Sequence, residues 1–256
     1  MPQFPAMPAS YATMRSAIVR RAQLAAIAAP QDAGGPPLRL FLAEALGLAE
    51  PLLRRFRAPF RVPPARQRQV VMLLPGFATH PLRMRYMAQK LEQSGHVVKR
   101  WGLGFNLGPN EQTLDLLEDR LQSIAWTHGR PVVLVGWSLG GIFARELAKR
   151  RPELVAKVVT MGSPFSGTPF GNNAWRMYHL VTGHRVDAPP VEARLAEKPP
   201  VETVALWSPR DGIIAPRCAA GQPGERDRAV ALRCSHLGFS NSPEAITAVL
   251  AELQRV

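Results

Sequence analysis

The sequence predicts an α/β protein: a mostly parallel, doubly wound sheet with helices on both faces, an insertion over one end and helices ahead of it. Three observations carry this. Short apolar runs, Gln69–Leu74 (QVVMLL), Val132–Val135 (VVLV) and Val155–Met161 (VAKVVTM), alternate with stretches whose apolar residues recur at helical spacing. The runs lack polar alternation, as strands covered on both faces do. Glycine or proline follows the strand ends at Pro75-Gly76, Gly136 and Gly162. Strands and helices taken in turn build a parallel sheet through right-handed crossovers.

The 256 residues suffice for one sizeable core, and 46% of them are hydrophobic, as in an ordinary globular protein. Residues 1–66 read as a basic helical extension, with nine arginines against Asp32, Glu44 and Glu50. Tyr11–Ala29 is the first helix, stopped by Pro30 and the Gly34–Pro37 run. Leu38–Phe56 is the second, with Leu38, Phe41, Leu42, Ala45, Leu46, Ala49, Leu52 and Leu53 on one face. Pro51 should kink or break it, and Arg54, Arg55 and Arg57 suit its C-terminal dipole. We expect the apolar face to pack on its own domain; a membrane surface is the alternative.

The net charge of +13 attracts anionic surfaces. No nucleic-acid motif and no interleaving of aromatic and basic residues is present, so nucleic acid is set aside and peripheral membrane contact through residues 1–66 is preferred. No stretch is long and apolar enough to cross a bilayer. Arg15, Arg20 and Arg21 precede AQLAAIAAP, a weak match to a secretory signal behind a proline-rich start. A cytoplasmic or membrane-peripheral location is therefore expected ahead of secretion.

Residues 67–256 read as a single domain. After the strand at 69–74, Leu82–Ser94 is a helix ended by Gly95, His96–Trp101 a strand and Gln112–Trp126 a helix stopped by Gly129. The strand Val132–Val135 then runs into Gly136-Trp137-Ser138-Leu139-Gly140, and a helix leaves it. In that strand–turn–helix context Ser138 is a nucleophile on a tight turn, and Gly136 and Gly140 remove the side chains that would collide there. Gly141 lets the helix approach the strand. Pro164–Pro200 has no strand pattern and carries Phe165, Phe170, Trp175 and Tyr178; a segment this long reads as a lid, with a short helix near Asn173–Val181. Phe165, Trp175 and Tyr178 are the expected substrate contacts. Strands at Val204–Trp207 and Ala229–Arg233 and a helix at Pro243–Gln254 complete the domain.

A serine hydroxyl needs a base, and the base needs a carboxylate to fix its tautomer. Asp211 and His236 each follow a strand by a few residues, as Ser138 does, at the end of the sheet where reactive groups gather. His80 has no acid placed to hold it, His96 and His128 fall at the far end, and His179 and His184 lie in the lid. Asp187 (in the insertion) and Asp227 (in a charged loop) are the alternatives to Asp211. Two donors are needed for the developing oxyanion. These are expected to be the backbone N–H groups of Leu139, after the nucleophile, and of Phe77, after the first strand.

Together G-W-S-L-G-G, the strand–P-G-F loop, S-P-R-D-G-I-I and C-S-H-L-G-F resemble the bacterial esterase/lipase kind of α/β-hydrolase, from about Gln69 to the C-terminus. Met161–Gly167 is similar to the G-S-P-x-x-G stretch before the lid in such lipases. The resemblance implies hydrolysis of carboxylic esters through an acyl-serine with Ser138, Asp211 and His236 and no cofactor, and the aromatic lid and basic surface favour lipid-like or bulky apolar small-molecule esters over small polar ones. An acyltransferase or thioesterase with the same triad, or a non-catalytic binding protein of this fold, are the alternatives. The family's H-G before the oxyanion residue is replaced by Pro75-Gly76. Its first antiparallel strands are not evident, which suggests a reduced six-stranded sheet. Cys218 and Cys234 are too few for a structural zinc site. A bridge between them, toward which the expectation leans, would steady His236 with a loop-closure effect of about 3 kcal/mol.

Overall fold

The computed structural model describes residues 11–31, 33–53, 60–191 and 194–256. It contains the expected parallel sheet, six-stranded and all parallel. The strands are β1 (Val70–Leu74), β2 (Val97–Arg100), β3 (Val132–Trp137), β4 (Val155–Met161), β5 (Thr203–Trp207) and β6 (Arg228–Ala231). Their order is β2-β1-β3-β4-β5-β6. Strand order reverses between β1 and β3, which opens a crevice at their carboxyl ends.

Successive residues of the central strands point to opposite faces, and both faces are dry. Val71, Leu73, Val133 and Val135 pack with Met87 and Leu91 of α3 (Arg85–Gln93) and with Val249 and Leu253 of α8 (Pro243–Leu253). Val70, Met72, Leu74, Val132 and Leu134 pack with Leu117 and Leu121 of α4 (Thr113–His128) and with Phe143 and Leu147 of α5 (Leu139–Arg150). Burial on both faces is why these strands read as unbroken apolar runs. α4 ends at Gly129, which takes φ 62° as the left-handed C-cap.

The insertion carries α6 (Trp175–Thr182). Its far end is tied to α5 by Arg145, whose guanidinium donates to the carbonyls of Ala196, Glu197 and Glu225. Burial lowers the Arg145 pKa to about 10, so it remains a cation at neutral pH. A further short helix, α7 (Pro216–Ala220), follows β5.

Ahead of the sheet lie α1 (Tyr11–Ala25) and α2 (Leu38–Leu53). α1 packs on α6, and α2 packs on the loop that carries His236. The orientation of α2 corrects the sequence expectation. Leu38, Leu42 and Leu46 face solvent, 70%, 64% and 72% exposed, while Glu44 is buried; the side chains of Ala49, Leu52 and Leu53 lie outside the described residues. The helix turns Leu40, Glu44 and Gly47 inward because polar backbone groups, described below, wait there for a carboxylate. It also continues past Pro51 to Leu53; Arg54, Arg55 and Arg57 lie outside the described residues.

A second correction concerns the cysteines. Cys218 and Cys234 are free thiols, and both are buried. They belong to separate apolar clusters, Cys218 with Ile214 and Ala219, Cys234 with Phe239 and Ile246 in the main core, so packing gives each its own site.

Candidate active site

Ser138 sits between β3 and α5 at φ 54° and ψ −123°, a backbone conformation rare for any residue but glycine. Such strain costs about 1–3 kcal/mol and persists only where the surroundings over-determine it. The surroundings are visible. A Cβ on Gly136 would strike the Gly140 carbonyl, one on Gly140 would strike the carbonyl of Leu74, and one on Gly141 would strike Ser163. The Ser138 N–H donates to the carbonyl of Met161 at 2.8 Å, which locks the turn onto β4.

Asp211 follows β5 and is fully buried. One carboxylate oxygen, Oδ1, accepts from the N–H groups of Ile213 and Ile214 at 2.8 and 2.7 Å. The other, Oδ2, lies 2.7 Å from His236 Nδ1. With Nδ1–H committed to Asp211, Nε2 is the nitrogen that can take a proton. Burial depresses the His236 pKa, but the charge and hydrogen bond of Asp211, with the charge of Glu44, outweigh it and hold the pKa above the usual value. The imidazole packs at 5.8 Å from the Trp137 ring and 6.3 Å from that of Phe239. The Trp137 indole N–H donates to the His236 carbonyl at 3.0 Å, so the residue before Ser138 holds the histidine loop.

The loop after β1 presses against Ser138: a Cβ on Gly76 would lie 3.3 Å from Ser138 Cβ. Asn106 organises it. Its amide Nδ2 donates to the Pro75 carbonyl at 2.7 Å, its backbone carbonyl accepts from Ala78 at 2.7 Å, and its N–H donates to Thr79 at 3.0 Å. Ala78 takes φ 55° to make the turn. Among the described residues, the N–H groups of Phe77 and Leu139 have no protein acceptor, as groups reserved for an anionic oxygen would be.

Ser138 lines a pocket of about 120 Å³. Phe77, Leu139, Ile142, Trp175, Tyr178 and Ile214 give it apolar walls. Trp175 and Tyr178 therefore lie where substrate contacts are expected, the Tyr178 ring packing tilted against Phe77 with centroids 5.4 Å apart. Phe165 does not line this pocket. It is buried under Arg145, whose guanidinium sits 4.1 Å above its ring, and so serves the base of the insertion.

Three of the other histidines have local duties. His80 Nδ1 caps the turn at Leu82, and His96 Nδ1 accepts from Gln69 N. His179 bridges the carbonyl of Leu24 and the N–H of Val186. Asp187 pairs with Arg185, and Asp227 with Lys198 and Thr203. Sequence reasoning missed Asn106, Glu44 and the Trp137 indole. The glycine-rich run around Asn106 was the one available signal; a single acid on an amphipathic helix gave none.

Over residues 69–211 the chain matches the model of the alpha/beta hydrolase fold family. Two triacylglycerol lipases, from Pseudarthrobacter phenanthrenivorans and Burkholderia plantarii, are each 40% identical to it over 65 residues. That stretch is 25% of this chain and 20% and 18% of the two lipases, so the chain matches about a fifth of their length. Among solved structures, 2-hydroxy-6-oxo-6-phenylhexa-2,4-dienoate hydrolase from Rhodococcus sp. strain RHA1 superposes with a TM-score of 0.55 at 14% identity, covering 75% of this chain and 92% of that one. An α/β hydrolase from a lagoon-sediment metagenome gives 0.53 at 20% identity, covering 75% and 92%. At these identities the structures speak to the fold alone.

Proposed function

The chain belongs to the α/β-hydrolase family, and we propose that it is a serine hydrolase that cleaves carboxylic esters with bulky apolar groups through an acyl-serine intermediate. The observation that carries this reading is the buried Asp211–His236 pair, 2.7 Å apart, tied through the Trp137 indole to the turn that holds Ser138 at φ 54° in the wall of an apolar pocket.

In this reading Ser138 Oγ attacks the ester carbonyl carbon while His236 Nε2 takes its proton. The carbonyl oxygen becomes an oxyanion and accepts from the N–H groups of Leu139 and Phe77. The intermediate collapses, the carbon–oxygen bond to the alcohol breaks, and His236 returns its proton to the leaving oxygen. Water then attacks the acyl-serine, His236 again taking and returning a proton, and the acid departs. Asp211 keeps its charge throughout and stabilises the imidazolium. The apolar walls favour a hydrocarbon or aromatic acyl group over a small polar one. A fluorophosphonate probe tests the reading: the adduct should map to Ser138, and an intact, unlabelled protein would contradict it.

Peripheral contact with an anionic membrane is a second proposal, supported by the outward Leu38, Leu42 and Leu46 of α2 and the +13 charge. Among the described residues no helix is long and apolar enough to cross a membrane.

A further inference from the structure

α2 approaches the catalytic loops more closely than side chains normally allow, and glycines on both sides make this possible. Gly212, immediately after Asp211, lies so close to the helix backbone that a Cβ there would strike the Leu40 carbonyl. Gly47 faces the histidine loop, and a Cβ there would come within 2.9 Å of Leu237 Cβ. Between these two contacts Glu44 is only 4% exposed. Its Oε1 accepts from the N–H of Gly212 at 2.9 Å and from that of His236 at 2.7 Å. Its Oε2 accepts from the N–H of Leu237 at 2.9 Å. One side chain, far upstream in the sequence, thus satisfies three backbone donors on two loops.

Those donors belong to the residue after the candidate orienting acid, to the candidate base itself, and to the residue after the base. Buried N–H groups demand acceptors, and a buried carboxylate demands donors, so the three bonds meet both needs at once. The segment ahead of α2 is fixed to the same loop. Asn173 Nδ2 bridges the carbonyls of Pro36 and Gly212, at 3.1 and 2.8 Å. Arg83 donates to the carbonyl of Gly47 at 2.7 Å, which holds the helix from its other side.

We propose that Glu44 is a positioning residue of this site, a strut on the N-terminal helix that sets the loops of Asp211 and His236 in register with each other. The proposal rests on the serine-hydrolase reading above. It makes the helix ahead of the sheet a working part of the site. Beyond position, Glu44 places a second negative charge near the imidazole. The charged groups that face His236 are Asp211 from the loop after β5 and Glu44 from α2. Cys234, two residues before it, is pushed up to about 12 by burial and stays neutral at ordinary pH. Replacing Glu44 by a neutral group of the same shape should therefore lower the pKa of His236 as well as loosen its loop.

The test uses the full chain with Glu44→Gln and Glu44→Asp. Glutamine keeps one acceptor oxygen, loses the charge and turns a donor toward Leu237 N–H; aspartate keeps the charge but is one methylene short. Turnover of a p-nitrophenyl ester, its pH profile and fluorophosphonate labelling would be measured beside thermal stability. We expect Glu44→Gln to lose roughly tenfold to a hundredfold in kcat with KM nearly unchanged, since misplacement by about an ångström costs that much. The acid limb of kcat/KM should move to lower pH. Glu44→Asp should lose rate yet keep the limb nearer its original place. Should Glu44→Gln be too unstable to assay, a folded Glu44→Asp with full kcat overturns the proposal by itself, and one with reduced kcat supports it. A folded Glu44→Gln with wild-type kcat and pH profile also overturns it, leaving the catalytic reading intact. A wild-type protein that neither turns over ester nor takes the probe overturns both.

Discussion

The indole of Trp137 donates to the carbonyl oxygen of His236 across 3.0 Å, so the strand end that presents the serine also holds the loop that presents the histidine. Two groups from distant parts of the chain are set by one hydrogen bond. Trp137→Phe keeps the ring against His236 but removes the donor. Stability should fall by about 1 kcal/mol, and kcat should fall several-fold with little change in KM. Unchanged kcat in a folded variant would show that the bond does not position the base.

The pH dependence follows from His236. Its pKa stands above the usual histidine value, because Asp211 and Glu44 outweigh the effect of burial. As the proposed base, His236 must be neutral to accept the serine proton, so activity should fall as pH drops through that raised pKa. The stability linkage has the opposite sense. A pKa raised on folding stabilises the fold fully below the unfolded value of about 6.5, and that contribution is lost as pH rises through the folded pKa. Asp211→Asn should weaken both effects and lower kcat on the order of 10⁴-fold. A kcat/KM profile with its acid limb below the ordinary histidine value of about 6.5 would contradict the assignment.

Asn106 shapes the loop that offers Phe77 N–H. Asn106→Ala removes the donor to the Pro75 carbonyl. Leaving that buried carbonyl unpaired costs about 1–3 kcal/mol. On the proposed reading this loop's Phe77 N–H serves the oxyanion, so kcat should fall about tenfold or more while KM holds. An equal loss in KM alone would point to the pocket wall instead.

The outward face of α2 gives a test of membrane contact. Wild type should sediment with vesicles containing anionic phospholipid, less so at high salt, and Leu42→Asp combined with Leu46→Asp should abolish this while soluble-ester turnover persists. Retained vesicle binding in the double variant would remove α2 from the account. Dissociation of an oligomer in the same variant would assign the face to self-association.

Both cysteines are buried free thiols. Thiol titration should find two reactive groups after denaturation and slow reaction before it, and reducing agent should leave turnover and melting temperature unchanged. No free thiol in the denatured protein would restore the disulfide.

What the sequence revealed, and what it hid, divides along the range of the interactions. The turn at Ser138 was legible because its residues are contiguous and part of its constraint is local: Gly136 must clear Gly140 and Gly141 in the same turn, although Gly140 and Gly141 also meet Leu74 and Ser163 from elsewhere in the chain. The strands were legible because burial on both faces writes itself as unbroken apolar runs. Asp211 and His236 were legible by their place after strands. Glu44 and Asn106 act through backbone groups far away in sequence, and such partners leave no periodicity to read. The facing of α2 was misread for the same reason. Its apolar stripe predicted the buried side, but two glycines and three N–H donors outweighed it. Phe165 looked like a pocket aromatic because aromatic residues cluster in the insertion, and only the position of Arg145 shows that it belongs beneath.

The most direct test of the central claim is hydrolysis of p-nitrophenyl esters of increasing acyl length by wild type and Ser138→Ala. The account predicts turnover by wild type, best with longer acyl groups that fill the apolar pocket, and a loss on the order of 10⁴-fold or more in the folded mutant. Equal rates in the two proteins, or no turnover of any ester by a wild type that also resists fluorophosphonate, would contradict it.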